Sequence, residues 1–81
     1  MNCYIYRSSR KVGSYLYITE KNNFSDIPEE LLKLLGQVEF AFQLKLNENK
    51  ILANADVKIV LQQLKEQGFF LQMPPPQDQE G

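Results

Sequence analysis

The 81-residue chain contains no histidine, and this absence limits the chemistry that it can perform. Without imidazole, the remaining metal ligands are carboxylates and one thiol, a set that favours hard ions held by clustered oxygens. No stretch resembles a calcium-binding loop, and a nucleophilic serine or cysteine would have no histidine beside it to activate it. We therefore expect no metal site, no cofactor and no catalytic residues, and a non-enzymatic protein is the favoured interpretation.

Cysteine and long apolar runs are also scarce. Cys3 is the single thiol, so no internal disulfide can form and the fold must be held by packing, which fits a reducing compartment. No apolar run approaches the roughly 18 residues that a membrane-spanning helix needs. The N-terminal residues place apolar side chains before basic ones, the reverse of a secretory signal. We therefore expect a cytoplasmic protein that does not associate with membranes.

The net charge is small, at −1, but it is unevenly distributed. Residues 1–21 carry four basic side chains and one acidic, a net charge of +3, whereas residues 22–81 carry five lysines and nine acidic residues, a net charge of −4. Dedicated nucleic-acid-binding domains are usually far more basic overall. The basic N-terminal segment is therefore a modest electrostatic signal.

Alternating patterns predict four strands. Runs rich in tyrosine and isoleucine at residues 3–8 and 14–19, joined by a loop that contains Gly13, predict a β-hairpin. Residues 69–73 predict a short last strand. Between them, residues 38–46 alternate as expected for a strand with one buried face, and the side chains predicted to face the core are Val38, Phe40, Phe42 and Leu44.

Two stretches predict helices. The first has Ser25 or Asp26 as its cap, Pro28 near its start and Gly36 as its end. The second covers roughly residues 55–67, follows the turn NENK, has Asn54 as its cap and ends at Gly68. Its apolar residues recur at helical spacing and form one core stripe: Val57, Val60, Leu61 and Leu64.

The resulting order, β-β-α-β-α-β, indicates an α+β fold. We expect a single-domain α/β sandwich over residues 1–73, with a four-stranded, mainly antiparallel sheet and helices packed on one face. Residues 74–81, PPPQDQEG, predict a flexible, proline-rich and acidic tail, because proline cannot donate to a sheet. A triple proline could dock in an aromatic groove of a partner, but the stretch contains no PxxP, and prolines that end an edge strand are the favoured interpretation. We expect a monomer.

Several separated segments carry a family resemblance. The stretches CYIYRSS, YLYI, IPEELLKLLG, LANADVKIVLQQL and QGFFLQMPPP occur in this order over residues 3–76. Together they resemble the YcgL family of small γ-proteobacterial proteins. The resemblance implies an α/β sandwich with a small sheet and packed helices. It implies no activity, since the family is a domain of unknown function.

The candidate binding site is the hairpin, which concentrates basic, hydroxyl and aromatic side chains. Basic residues would contact phosphates, serines would add hydrogen bonds, and exposed tyrosines would stack on bases. The alternative is a solvated hairpin tip whose tyrosines are half buried against the sheet. The two differ in whether the tyrosines lie on an open face near Arg7. The full set of candidate binding residues is Tyr4, Tyr6, Arg7, Ser8, Ser9, Arg10, Lys11, Tyr15 and Tyr17.

The sequence does not determine the biochemical activity. The leading hypothesis is a non-enzymatic cytoplasmic binding or accessory module that contacts RNA, or an RNA-handling protein, through the hairpin. One alternative is a small enzyme acting on an anionic small molecule, with Arg7 and Arg10 as anchors. Another is a protein–protein adaptor that uses a sheet edge or the proline tail.

Overall fold

The computed structural model describes residues 1–47, 49 and 56–73. The predicted element order is confirmed, and so is the α+β class. Asn54 and residues 74–81, predicted as a helix cap and a tail, lie outside the described residues, as does part of the NENK turn. The elements are β1 (Asn2–Ser8), β2 (Tyr15–Ile18), α1 (Glu29–Leu35), β3 (Val38–Lys45), α2 (Val57–Gln67) and β4 (Phe69–Gln72).

The four strands form one antiparallel sheet in the spatial order β3-β1-β2-β4. The hairpin strands therefore lie in the centre, with Ile5 opposite Tyr17 and Tyr6 opposite Leu16. β3 and β4 form the two edges. Central strands are flanked on both sides, so their side chains are the first to be buried once the faces are covered.

The two helices lie on opposite faces of the sheet. On one face, here called the α2 face, α2 packs against β1 and β2; on the other, the α1 face, α1 does so. The expectation that both helices pack on one face is wrong. The helices lie on opposite faces because β1 and β2 carry large apolar side chains on both faces, and each face must be covered by its own helix. The α2 face buries Cys3, Ile5, Tyr17, Val57, Val60 and Leu64, and the α1 face buries Tyr6, Leu16, Ile18, Leu35 and Phe69.

A β-bulge interrupts the alternation of β3. Ile5 lies opposite Phe42 and Tyr6 lies opposite Phe40, so Ala41 is left without a partner in β1. The prediction that Phe40 and Phe42 face the core is wrong, because they are 41% and 48% exposed. The extra residue places Phe40 on the α1 face and Phe42 on the α2 face, at the sheet edge, where neither helix covers them fully.

The N-terminal ends of both helices differ from the predicted ones. α1 begins after Pro28, and no side chain caps it, so the prediction of Ser25 or Asp26 as its cap is wrong. Ser25 is instead held in the preceding turn, where its backbone N–H and its hydroxyl both donate to the side chain of Asn23. α2 is capped by Asp56, whose carboxylate accepts a hydrogen bond from the Lys58 N–H.

Candidate functional site at the hairpin

The loop of the hairpin is organised around the hydroxyl of Ser8. This buried hydroxyl donates to the carbonyl oxygen of Leu35, the last residue of α1, at 2.5 Å. The Ser8 Oγ also accepts hydrogen bonds from the backbone N–H groups of Arg10, at 3.1 Å, and Lys11, at 2.9 Å. Ser8 therefore holds the loop in one conformation instead of offering its hydroxyl to a ligand.

Two backbone contacts fasten the loop to the end of α1. The N–H of Ser9 donates to the carbonyl of Gln37 at 2.9 Å, and the N–H of Arg10 donates to that of Leu35 at 3.4 Å. Between these acceptors lies Gly36, with φ of +70°. A Cβ there would come within 2.7 Å of the Arg10 Cγ, so the loop and the helix end approach as closely as a glycine allows.

Three predicted basic residues reach solvent at this tip. Arg7, Arg10 and Lys11 are all exposed. The Arg7 Nε lies 3.8 Å from an Oε1 of Glu39 across the β1–β3 pair, which is the one ion pair within the described residues. Such an exposed pair is weak and is screened by salt. Arg10 and Lys11 lie on the exposed loop, whereas Arg7 lies at the end of β1, one residue before Ser8.

The predicted tyrosines are not brought together. Strand alternation and the register place Tyr4 and Tyr6 on the α1 face, and Tyr15 and Tyr17 on the α2 face. Tyr6 and Tyr17 are only 2% and 5% exposed, and Tyr4 and Tyr15 are half-buried. The four rings therefore share no open face near Arg7, and stacking on bases by all four is not what this geometry offers.

The two buried tyrosines use their hydroxyls within the protein. The Tyr6 hydroxyl donates to Oδ1 of Asn22 and accepts from the Asn22 N–H, at 3.1 and 2.7 Å. Tyr17 donates to Oε1 of Gln72 at 2.6 Å. Burial raises the pKa of Tyr17, and the neighbouring Cys3 and Tyr15 add to that effect. Both rings are components of the core with satisfied polar ends.

The thiol of Cys3 is shielded from reaction. Its side chain is buried against α2, and burial raises its pKa to about 12, against a smaller opposing effect of the positively charged N-terminal amine. A thiol with so high a pKa is protonated at neutral pH and is a poor nucleophile. Within the described residues, no three His, Cys, Asp or Glu side chains cluster as a metal site would require.

Other surface features were missed by the sequence reasoning. Val12, next to Lys11 in the hairpin loop, is an apolar side chain that is 87% exposed. A groove of about 480 Å³ lies along α2, lined by Lys58, Leu61, Gln62, Lys65 and Glu66. The five lining residues recur at helical spacing, which is visible in the sequence, and Arg7 is not among them. No helix in the described part of the chain is long and apolar enough to cross a bilayer.

Comparison with known proteins decides the family. A family model of the YcgL domain matches residues 3–75. The chain belongs to the YcgL family. YcgL domain-containing proteins of Pectobacterium carotovorum and Proteus mirabilis are 51% and 53% identical to it over 76 residues, which cover 94% of this chain and 89% and 78% of theirs. Protein YcgL of Escherichia coli is 51% identical over 76 residues, 94% of this chain and 70% of its own. The resemblance inferred from the separated YcgL segments is thus confirmed.

Proposed function

We propose that this domain is a non-catalytic binding module that contacts single-stranded RNA through the tip of its hairpin. The observation that carries the proposal is that exposed Arg10 and Lys11 lie on a loop whose backbone is fixed by buried Ser8, with exposed Arg7 at the adjoining end of β1. A fixed loop loses little conformational freedom when a ligand binds, so its cations are preorganised for phosphate groups.

The proposed contact is electrostatic, with little stacking. Two of the four hairpin tyrosines are buried with bonded hydroxyls, and the half-buried Tyr4 and Tyr15 lie on opposite faces. Phosphate contacts alone read no base sequence, so we expect weak binding that tolerates many sequences and falls steeply with salt. Exposed Lys33, in the last turn of α1 beside the loop, adds to the positive charge of this end.

An enzymatic function is the weaker candidate. It would require a pocket that holds Arg7 together with a carboxylate, whereas the acidic residue beside Arg7 is exposed Glu39, on the edge strand. The buried Cys3 thiol is protonated at neutral pH. Neither Cys3 nor Glu39 is therefore placed as a nucleophile or general base beside Arg7.

The proposal is tested by fluorescence anisotropy with a labelled single-stranded RNA of about 12 nucleotides. Arg7→Ala with Lys11→Ala removes two exposed cations and spares Arg10, whose aliphatic stem packs against Gly36. We expect the double variant to bind more weakly and to flatten the plot of log K against log salt by about 0.7 for each lost contact.

The matched control removes the same charge elsewhere. Lys58 and Lys65 are exposed on α2, away from the hairpin loop in the chain, and Lys58→Ala with Lys65→Ala should leave RNA affinity nearly unchanged. Equal weakening by both double variants would show a diffuse charge effect and contradict a site at the hairpin. Absence of binding at low salt would remove RNA as the partner.

A further inference from the structure

Among the described strands, β3 forms one edge of the sheet. β3 is eight residues long and pairs with β1 on one side only. In an antiparallel strand, alternate residues direct their N–H and C=O groups away from the partner strand. Within residues 1–47, 49 and 56–73, no backbone group bonds to those of β3 on that side. These groups can be satisfied by a strand added from another molecule.

Aromatic side chains mark this edge on both faces. Phe40 projects on the α1 face and Phe42 on the α2 face, each more than two-fifths exposed. On the α2 face Phe42 is flanked by Ala41 and Leu44, which pack at the margin of the core there. An added strand would cover these apolar groups, so its side chains on the α2 face should be apolar too.

The α1 face of the same edge is positively charged. The ammonium group of Lys21 lies 4.4 Å from the centroid of the Phe40 ring. Lys45 lies opposite Asn2, which shares the α1 face with Tyr4 and Tyr6, and the side chain between the two lysines is uncharged Gln43. Neither lysine forms an ion pair in the described part of the protein. Side chains of an added strand on this face should therefore be acidic.

We propose that β3 binds an extended segment of a partner protein in which acidic and apolar residues alternate. Strand side chains point to opposite faces in turn, so this alternation places acidic groups beside Lys21 and Lys45 and apolar groups beside Phe42. The surface is distinct from the hairpin tip. It makes the domain an adaptor that works by strand addition, whether or not the tip binds RNA.

A second copy of this chain fits the edge less well. Two β3 strands paired about a twofold axis perpendicular to the sheet would continue the α1 face of one copy into the α1 face of the other. That arrangement would add the partner copy's two lysines to a face that already holds Lys21 and Lys45. Like charges in neighbouring positions of a sheet destabilise it, so the charge pattern selects an acidic segment.

The test uses the whole protein and two synthetic peptides, each as long as the eight-residue β3. One alternates glutamate and valine, the other lysine and valine, and both have blocked termini. Titration of ¹⁵N-labelled protein should give saturable amide shifts for the glutamate peptide, centred on β3, with slower hydrogen exchange of its outward amides. The lysine peptide should give none. Because the readout is the unmodified protein, it does not depend on any variant folding.

Two charge variants then locate the acidic contact. Lys21→Ala with Lys45→Ala should raise the Kd for the glutamate peptide at least about fivefold, whereas Lys58→Ala with Lys65→Ala should change it by less than about twofold. Equal binding of both peptides, shifts centred on β4, or no saturable shift up to about 1 mM peptide would overturn the proposal. So would dimerisation that protects the β3 amides without peptide, since the occupant would then be a second copy.

Discussion

The hydroxyl of Ser8 and the carbonyl of Leu35 are 2.5 Å apart, a hydrogen bond that joins positions 27 residues apart in the chain. It ties the start of the hairpin loop to the last turn of α1. Because the Ser8 Oγ also accepts hydrogen bonds from the backbone N–H groups of Arg10 and Lys11, one buried side chain fixes the backbone that carries two exposed cations. The loop and the helix end therefore behave as one structural unit.

Replacing Ser8 by alanine should destabilise the domain. The change leaves the Lys11 N–H without a partner and leaves the Arg10 N–H and the Leu35 carbonyl with only their mutual 3.4 Å contact, which costs about 1–3 kcal/mol of unfolding free energy. Ser9→Ala, at the exposed neighbouring position, should change it by less than about 0.5 kcal/mol. Urea unfolding followed by circular dichroism measures both. Similar losses for the two variants would contradict the assigned role of Ser8.

Gly36→Ala should also lower stability, by about 1–3 kcal/mol, because φ of +70° and ψ of −148° lie in a region that essentially only glycine adopts. The new Cβ would in addition collide with the Arg10 side chain. Thermal unfolding of Gly36→Ala, Arg10→Ala and the double variant separates the two causes. If the collision contributes, the double variant will be more stable than the sum of the single changes predicts.

Tyr6→Phe should cost about 0.5–1.5 kcal/mol of unfolding free energy, because the ring stays while both hydrogen bonds to Asn22 are lost. Tyr4→Phe is the matched control: it lies on the same face, and its hydroxyl has no hydrogen-bond partner in the described part of the protein. Neither change should alter RNA affinity. A large loss of RNA binding with unchanged stability would instead assign Tyr6 to the contact surface.

Stability should fall in alkaline solution through Cys3. Its pKa is about 12 in the folded protein against 9.0 for the free thiol, so above pH 9 the unfolded chain releases a proton that the folded one retains. As the pH rises from 9 to 12, the free energy of unfolding therefore falls by up to about 1.4 kcal/mol for each pH unit. The raised pKa of Tyr17 acts in the same direction from its ordinary value of 10.0.

The contribution of the thiol is isolated with Cys3→Ala, which cannot titrate. The quantity to compare is the slope of unfolding free energy against pH and not its absolute value, since the smaller side chain also leaves a void against α2. The slope between pH 9 and 12 should be shallower in the variant. Parallel slopes would mean that Cys3 does not titrate differently in the two states.

The sequence predicted those features that a local pattern encodes. In α2, Val57, Val60 and Leu64 recur with the helical period, and all three are buried as expected. Gly36 and Gly68 end the two helices with positive φ, as glycine after a helix usually does. Period and terminal residues are local properties, so no knowledge of the sheet was needed.

Features that depend on contacts between distant segments were not predictable. The hairpin strands carry large side chains on both faces, which is compatible with two helices on one face or one helix on each. The bulge at Ala41 arises in the pairing of β3 with β1, and no residue type around it announces the shift. Ser8 looks like any serine in a turn until Leu35, far along the chain, is placed against it.

Tyr6 and Tyr17 lie on opposite faces of the sheet in a protein that contains no tryptophan. Its intrinsic ultraviolet emission therefore comes from tyrosine alone, and one buried emitter faces each helix. Phenylalanine at positions 4, 6 and 15 together leaves Tyr17 as the single emitter, on the α2 face, and phenylalanine at positions 4, 15 and 17 leaves Tyr6 on the α1 face. Stopped-flow fluorescence of the two variants can then report whether α1 or α2 leaves the sheet first, without any attached dye.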